Sequence, residues 1–469
     1  MKRKNIILRF IGLMLFVVFP ITPLLSYAND TLHFTVDEAI EYALKNNETV
    51  LAAKAKLAER RAGIGTARAS FLPTLDVQGT YTRLGKIQSF EMAIPKYMQL
   101  PLMVYDIQTG LPIGYTDSIS MAVGADTMEL EMGQQDNYLL RTTIKQPLFT
   151  GGKILNGYRI ARLSYDVEKN NNQKTINDTR YQVIQLFYQT LAAQEGVGLI
   201  NESYNQMARH VNQVEQLYNN GFVSKLDLLR AKVGFSNLHT QLIRAENGYK
   251  LAKDGMKMLL AIDPEKEIIF ESKLSYEPYD VNLDRAVEAA LQNRPEIKSL
   301  KKTVDIAKRA LNIEMANFSP NVFVALNYDY KKPVTFSNNE WGTDWNITVG
   351  FTMPIFSGFS RITKIDERRA QINQTRYGLA QLEEGIKLDV KSAFLNLKQE
   401  EEILNYQDEN VKQAEEALRL AEERYKNGLI TNLEYMDMQL SLLQAKTEYV
   451  SALSKYLIAR AKLQHAMGE

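Results

Sequence analysis

Residues Trp345–Phe359 read WNITVGFTMPIFSGF. Up to Met353 the apolar residues fall on every second position: Trp345, Ile347, Val349, Phe351 and Met353 against Asn346, Thr348, Gly350 and Thr352. A period of two is that of a strand with one apolar face. The alternation stops at Pro354, and no proline follows in the rest of the chain. A helix can fill such a stretch without a break. The segment therefore reads as a strand running into a long helix.

That junction occurs twice. QPLFTGG at Gln146–Gly152 matches MPIFSGF at Met353–Phe359, 207 residues on. At the same spacing YNNGFVSKLDLLRA (Tyr218–Ala231) matches YKNGLITNLEYMDM (Tyr425–Met438). Earlier landmarks repeat at 247 residues: VDEAIEYALKNN from Val36 with LDRAVEAALQNR from Leu283, and FLPTLDV from Phe71 with FSPNVFV from Phe318. The chain is a duplication. Its first half carries 40 more residues than its second, between Phe71 and Gln146. Pro95, Pro101, Pro112 and several glycines there suit a long loop over 86–137. The expected organisation is a first repeat over 29–263, a linker over 264–282 and a second repeat over 283–469.

Three further stretches alternate. Strands are expected over about 74–84 and 138–147 in the first repeat, and over 321–331 and 343–354 in the second. Each has about ten residues and one apolar face, the length and pattern of a membrane-spanning β-strand. Between Ile386 and Tyr425 a mostly apolar row instead steps by fours and threes: Ile386, Val390, Ala393, Leu397, Glu400, Leu404, Gln407, Val411, Ala414, Leu418, Ala421 and Tyr425. This heptad seam resumes after the turn with Leu433, Met436, Leu440 and Leu443. Two long helices joined by a tight turn pack as a coiled hairpin, the first ~100 Å long at ~1.5 Å per residue.

The first residues read MKRKNIILRFIGLMLFVVFPITPLLSYAND. A basic start, an apolar core and Ser26-Tyr27-Ala28 indicate a secretory signal peptide over 1–28. The formal charge is +1 and there is no cysteine. Nothing argues for a nucleic-acid partner, and disulfides, thiolate metal sites and a cysteine nucleophile are excluded. The four histidines (His33, His210, His239, His465) lack metal-ligand spacing. GIGTAR from Gly63 lacks a third glycine, and GGKI at Gly151 lacks the rest of a phosphate loop. No enzyme, cofactor or metal is expected.

Four strands cannot close a barrel, and an open sheet in lipid leaves backbone groups unpaired. The chain must therefore assemble with copies of itself. The duplicated helix–strand–strand–helix plan, the QPLFTGG/MPIFSGF joints and the YxNG turns resemble the outer membrane efflux protein family, of the TolC type, over nearly the whole mature chain. The resemblance implies a mostly helical homotrimer. A twelve-stranded β-barrel in outer-membrane lipid would continue as a long α-helical barrel through the periplasm. It implies the exit duct of a tripartite efflux or type I secretion system, meeting a periplasmic adaptor and an inner-membrane pump, without catalysis. The alternative from the residues is a periplasmic coiled-coil adaptor or structural protein without a pore.

By the same resemblance Tyr218, Gly221, Ser224, Tyr425, Gly428 and Thr431 lie at periplasmic hairpin tips that touch the adaptor. Asp227, Glu434 and Asp437 lie at the entrance constriction or its intersubunit contacts. An arginine that latches the entrance in well-studied members is Ile430 here. From local chemistry alone, Gly221 and Gly428 suit helix-ending left-handed positions, and Ser224/Asp227 and Thr431/Glu434 suit capping boxes. Asp437 has no capping role, and the first copy has Arg230 in its place. Pro147 and Pro354 are expected at the strand-to-helix joints.

Overall fold

The computed structural model describes residues 31–335 and 338–469; the signal peptide expected over 1–28 lies outside them. In chain order the elements are β1 (Leu32–Phe34), α1 (Val36–Asn46), α2 (Glu48–Ala69), β2 (Thr74–Arg83), β3 (Gln88–Tyr105), β4 (Pro112–Met132), β5 (Asp136–Phe149), α3 (Lys153–Asn219), α4 (Lys225–Leu260) and β6 (Ile268–Phe270). The second half follows with α5 (Leu283–Asn293), α6 (Pro295–Met315), β7 (Asn321–Lys332), β8 (Gly342–Thr352), α7 (Ser360–Lys426) and α8 (Asn432–Met467). The duplication is visible in the lengths: α3 and α7 have 67 residues each, α4 and α8 have 36 each. Among the described residues no helix is long and apolar enough to cross a membrane.

The chain divides into two compact units. One comprises Thr49–Asp178, Tyr279–Asn396 and Lys462–Glu469. Its centre is an antiparallel sheet in the order β2-β5-β7-β8. The register stacks like with like. Leu75 faces Ile144, which faces Leu326, which faces Ile347. On the opposite face Asp76, Thr143, Asn327 and Asn346 form the corresponding row. Among the described residues β2 and β8 are left as free edges.

The segment read as a long loop over 86–137 is instead a second sheet, the two-stranded β3–β4 ribbon. Its prolines did not prevent pairing. Pro95 sits opposite Ala125 and Pro101 opposite Ser118, on a ribbon whose outer edge has no partner to lose. Phe90, Met92, Ile94 and Met98 share one face of β3, across from Met128 and Met121, and these side chains are exposed. In the same unit the C-terminus is clamped. Arg294 donates from Nε to the Ala466 carbonyl at 2.7 Å and pairs with Asp389. His465 Nε2 lies 2.7 Å from Asp178.

The other unit holds the described part of Met1–Glu48, with Thr179–Pro278 and Leu397–Ala461. One core packs Phe187 and Leu191 of α3, Met256 and Leu260 of α4, and Ala39 and Ala43 of α1 under the parallel β1–β6 pair. A second packs Met207, Val211 and Val214 of α3 with Leu228, Ala231 and Leu238 of α4 and Met436 and Leu443 of α8. The α7 seam stands as read: Ile386, Val390, Ala393, Leu397 and Leu404 are buried. The α8 seam stands in part: Met436 and Leu443 are buried. Leu433 and Leu440 are exposed, and their polar neighbours Asn432 and Gln439 take the buried positions. Asn432 meets His210, which offsets the cost of burying its amide, whereas Gln439 donates to the Tyr435 hydroxyl while its Oε1 is buried without a partner among the described residues.

Candidate functional site

The α3–α4 and α7–α8 turns have the same construction. At the end of α3, Phe222 N–H donates to the Leu217 carbonyl at 2.8 Å across Gly221, which has φ +80°. At the end of α7, Leu429 N–H donates to the Arg424 carbonyl at 2.9 Å across Gly428, with φ +69°. This six-to-one bond satisfies an orphan carbonyl of the finished helix and needs a residue that tolerates the left-handed region.

The returning helices are capped alike. Ser224 Oγ accepts from Asp227 N–H at 3.1 Å while the Asp227 carboxylate accepts from Ser224 N–H at 3.3 Å and from its hydroxyl at 2.5 Å. Thr431 Oγ1 accepts from Glu434 N–H at 3.3 Å, and Glu434 Oε2 accepts from Thr431 N–H at 2.7 Å and hydroxyl at 2.9 Å. The backbone N–H of Thr431, then its hydroxyl, hold the Glu434 carboxyl below the usual glutamate range. Glu434 is exposed and Asp227 partly so, and each keeps solvent access while capping. Asp437, one turn further along α8, is exposed, and no hydrogen bond or ion pair to its carboxylate occurs among the described residues. A cap therefore consumes part of Asp227 and Glu434 and none of Asp437.

The two turns lie together. A cleft of about 640 Å³ between them is lined by Leu217, Phe222, Asp227, Tyr425, Ile430 and Asn432, among others. Phe222 is 77% exposed. Tyr425 stacks on Tyr435 at 5.0 Å with planes 10° apart. Burial, and then the Asp227 charge, push the Tyr425 hydroxyl above its ordinary value. Tyr218, in contrast, lies at the surface of its turn. Sequence reasoning passed over His210, Asn432 and Tyr435, which join this cluster. The available signal was a histidine on the α3 stripe that carries Met207, Val211 and Val214.

In the sheet-bearing unit, the apolar face of β2-β5-β7-β8 ends in a run of rings. Tyr81 meets Tyr138 at 5.0 Å, Tyr138 meets Trp341 at 5.7 Å and Trp341 stacks on Tyr330 at 4.8 Å. Trp345, Ile347, Val349 and Phe351 on the β8 edge are at least 62% exposed. The opposite face carries the Arg141–Asp329 pair and, beside it, a hydrogen-bonded row of Thr143, Asn327 and Asn346. Pro147 lies near the end of β5, which runs on to Phe149, at a register shift between Pro147 and Phe149. Past Thr74↔Lys145 the strand no longer pairs with β2, and a bulge there tolerates a residue without an N–H. Pro354 lies between β8 and α7.

Long helical hairpins in duplicate and an unclosed sheet, apolar on one face and polar on the other, define the class of trans-envelope channel proteins. The sequence profile described as "Outer membrane efflux protein" matches residues 39–261 and 286–469. The chain belongs to that family, a family of transport proteins of the outer membrane. Over 448 residues it is 23% identical to the probable efflux pump outer membrane protein TtgC of Pseudomonas putida, covering 92% of this chain and 82% of that one. It is 20% identical over 388 residues to the alkaline protease secretion protein AprF of Pseudomonas aeruginosa, covering 80% and 78%. The fold is similar to the crystal structure of the Campylobacter jejuni CmeC outer membrane channel, with a TM-score of 0.72 at 14% identity, over 92% and 85% of the two chains. The reading as a pore-free coiled-coil adaptor is left without support.

Proposed function

We propose that three copies of this chain pair the free β2 edge of one with the free β8 edge of the next, closing a twelve-stranded barrel in the outer membrane. The observation that carries this reading is the two-faced sheet. Its exposed aliphatic and aromatic side match lipid with an aromatic girdle, and its polar side matches a water-filled lumen. Free strand edges are tolerated in lipid only when paired. The helices continue the duct into the periplasm, and the paired turns form its entrance, with the exposed Phe222 and the cleft beside it offered to a periplasmic adaptor. The chain is the exit duct through which an inner-membrane pump discharges, and it performs no catalysis.

In this duct three copies of Asp437, with Glu434, ring the entrance. Carboxylates in a narrow, partly desolvated ring favour cations and restrict flow. Purified full-length protein in a planar bilayer is expected to form channels that prefer cations. Asp437→Ala is expected to raise conductance or weaken that preference. An unchanged Asp437→Ala channel removes this residue from the constriction, and a protein that forms no channel and fractionates as a soluble periplasmic pool sinks the reading.

A further inference from the structure

One buried polar junction, separate from the caps, ties the two helical hairpins of a protomer together. His210 Nε2 on α3 lies 2.6 Å from Asn432 Oδ1. Asn432 Nδ2 donates to the Asp227 carbonyl at 3.2 Å. With the amide nitrogen engaged as donor, Oδ1 is the acceptor, so the imidazole Nε2 carries the proton and donates. His210 is 4% exposed and Asn432 5%. The His210 ring packs against Tyr425 at 5.6 Å and Tyr435 at 4.9 Å. One residue, Asn432, thereby touches α3 through a side chain and α4 through a backbone carbonyl.

This junction occupies the place where an apolar seam residue would give more stability. Leu433 is next in sequence and is left exposed. A buried amide and imidazole cost free energy unless they meet, so they penalise every slid or rotated arrangement of α8 in which they do not. A buried polar pair in a helical seam can act as a register device. Asn432 is also the first residue of α8, which carries Glu434 and Asp437 in its first turns.

We propose that His210 and Asn432 are a positioning pair: by fixing the start of α8 against α3 and α4, they hold the Glu434 and Asp437 carboxylates at the narrowest part of the entrance. The inference rests on the duct reading above. It assigns a role to two residues that do not themselves contact the permeating ion.

The test is single-channel conductance of the full-length assembled protein. His210→Ala and Asn432→Ala are each expected to raise conductance at least about twofold, and the double variant no further than either single, because both remove the same interaction. His210→Gln, whose side-chain amide can still donate, is expected to stay near wild type. Alanine variants that assemble and conduct like wild type, or a double variant whose effect is the product of the singles, overturn the proposal. If the alanine variants do not assemble, Asn432→Asp, which keeps an acceptor for His210, is compared with Asn432→Leu, which keeps none. Raised conductance in the leucine variant alone supports the pair, and equal conductance in both overturns it. Failure is separable from failure of the duct: a conducting wild type that responds to Asp437→Ala but not to the pair variants rejects only this inference.

Discussion

Arg141 on β5 and Asp329 on β7, directly opposite in register, form a two-pronged ion pair, with Nε–Oδ1 and Nη2–Oδ2 both 2.7 Å. Asp329 is buried, while the arginine is partly open on the polar face. The planar guanidinium fits a carboxylate with two parallel bonds, which adds geometry to charge. The pair joins a strand of the first repeat to a strand of the second, so it stitches the two halves of the duplication inside one sheet.

Removing one partner leaves the other half-buried and uncompensated. Asp329→Ala is expected to cost about 1.5–3 kcal/mol, the range for hydrogen bonds to a charged group. Replacing both with apolar residues of similar volume costs less, since two desolvation penalties leave together. Urea unfolding midpoints of the detergent-solubilised variants measure this. A double variant less stable than Asp329→Ala contradicts it.

The strand-to-helix joints differ between the repeats in a way that yields a second prediction. Both use two consecutive left-handed residues: Gly151 and Gly152 in the first, Gly358 and Phe359 in the second. A Cβ on Gly151 would lie 2.6 Å from Ser319 Cβ and 2.9 Å from the Ala316 carbonyl oxygen. At Gly358 nothing lies within 4 Å. Gly358→Ala should therefore cost only the left-handed strain, about 1–2 kcal/mol. Gly151→Ala adds a clash with backbone, a further ~1–3 kcal/mol. The ordering of the two unfolding midpoints is the check, and equal losses would refute the close packing of the first joint.

Much of this was legible in the sequence because the deciding signals are periodic. β8 announces itself through Trp345, Ile347, Val349 and Phe351, and α7 through its heptads, since one face of each is mostly apolar. The β3–β4 ribbon was not legible. It has an apolar face, but Pro95 and Pro101 punctuate it, and proline reads as a loop unless an unpaired edge is known to be available. At its first position the α8 seam was misread by one residue because Leu433 outranks Asn432 on hydrophobicity. The preference reverses only when His210, 222 residues away, supplies a partner. Single-position hydrophobicity contains no information about that contact.

The ribbon also offers a readout of orientation in the proposed duct. It leaves the sheet between Arg83 at the end of β2 and Asp136 at the start of β5. In the proposed duct that is the outward end. Protease added to intact cells should cut between about residues 84 and 135, and the turns near Gly221 and Gly428 should stay protected until the outer membrane is permeabilised. Exposed tips in whole cells together with a protected ribbon would invert the orientation. Replacing the ribbon with a short turn should leave assembly intact, because β2 and β5 keep their own ten-pair register.

The tip should weaken in acid, with a sign that follows from the cap. Backbone and hydroxyl hydrogen bonds from Thr431 favour ionised Glu434, so its folded pKa lies below its unfolded value of about 4.3. A depressed folded pKa means the unfolded segment binds more protons in the window between the two values. The stabilisation is complete above about 4.3 and is lost as pH falls through the folded value. Amide exchange at Thr431 and Glu434, corrected for the intrinsic pH dependence, should accelerate in that window. Glu434→Gln keeps an acceptor without the titration and should show a flat profile. The Thr35–Glu38 box on α1, shifted in the same direction by the same kind of bonds, serves as the internal reference. A Glu434→Gln profile as steep as wild type would assign the acid response to another group.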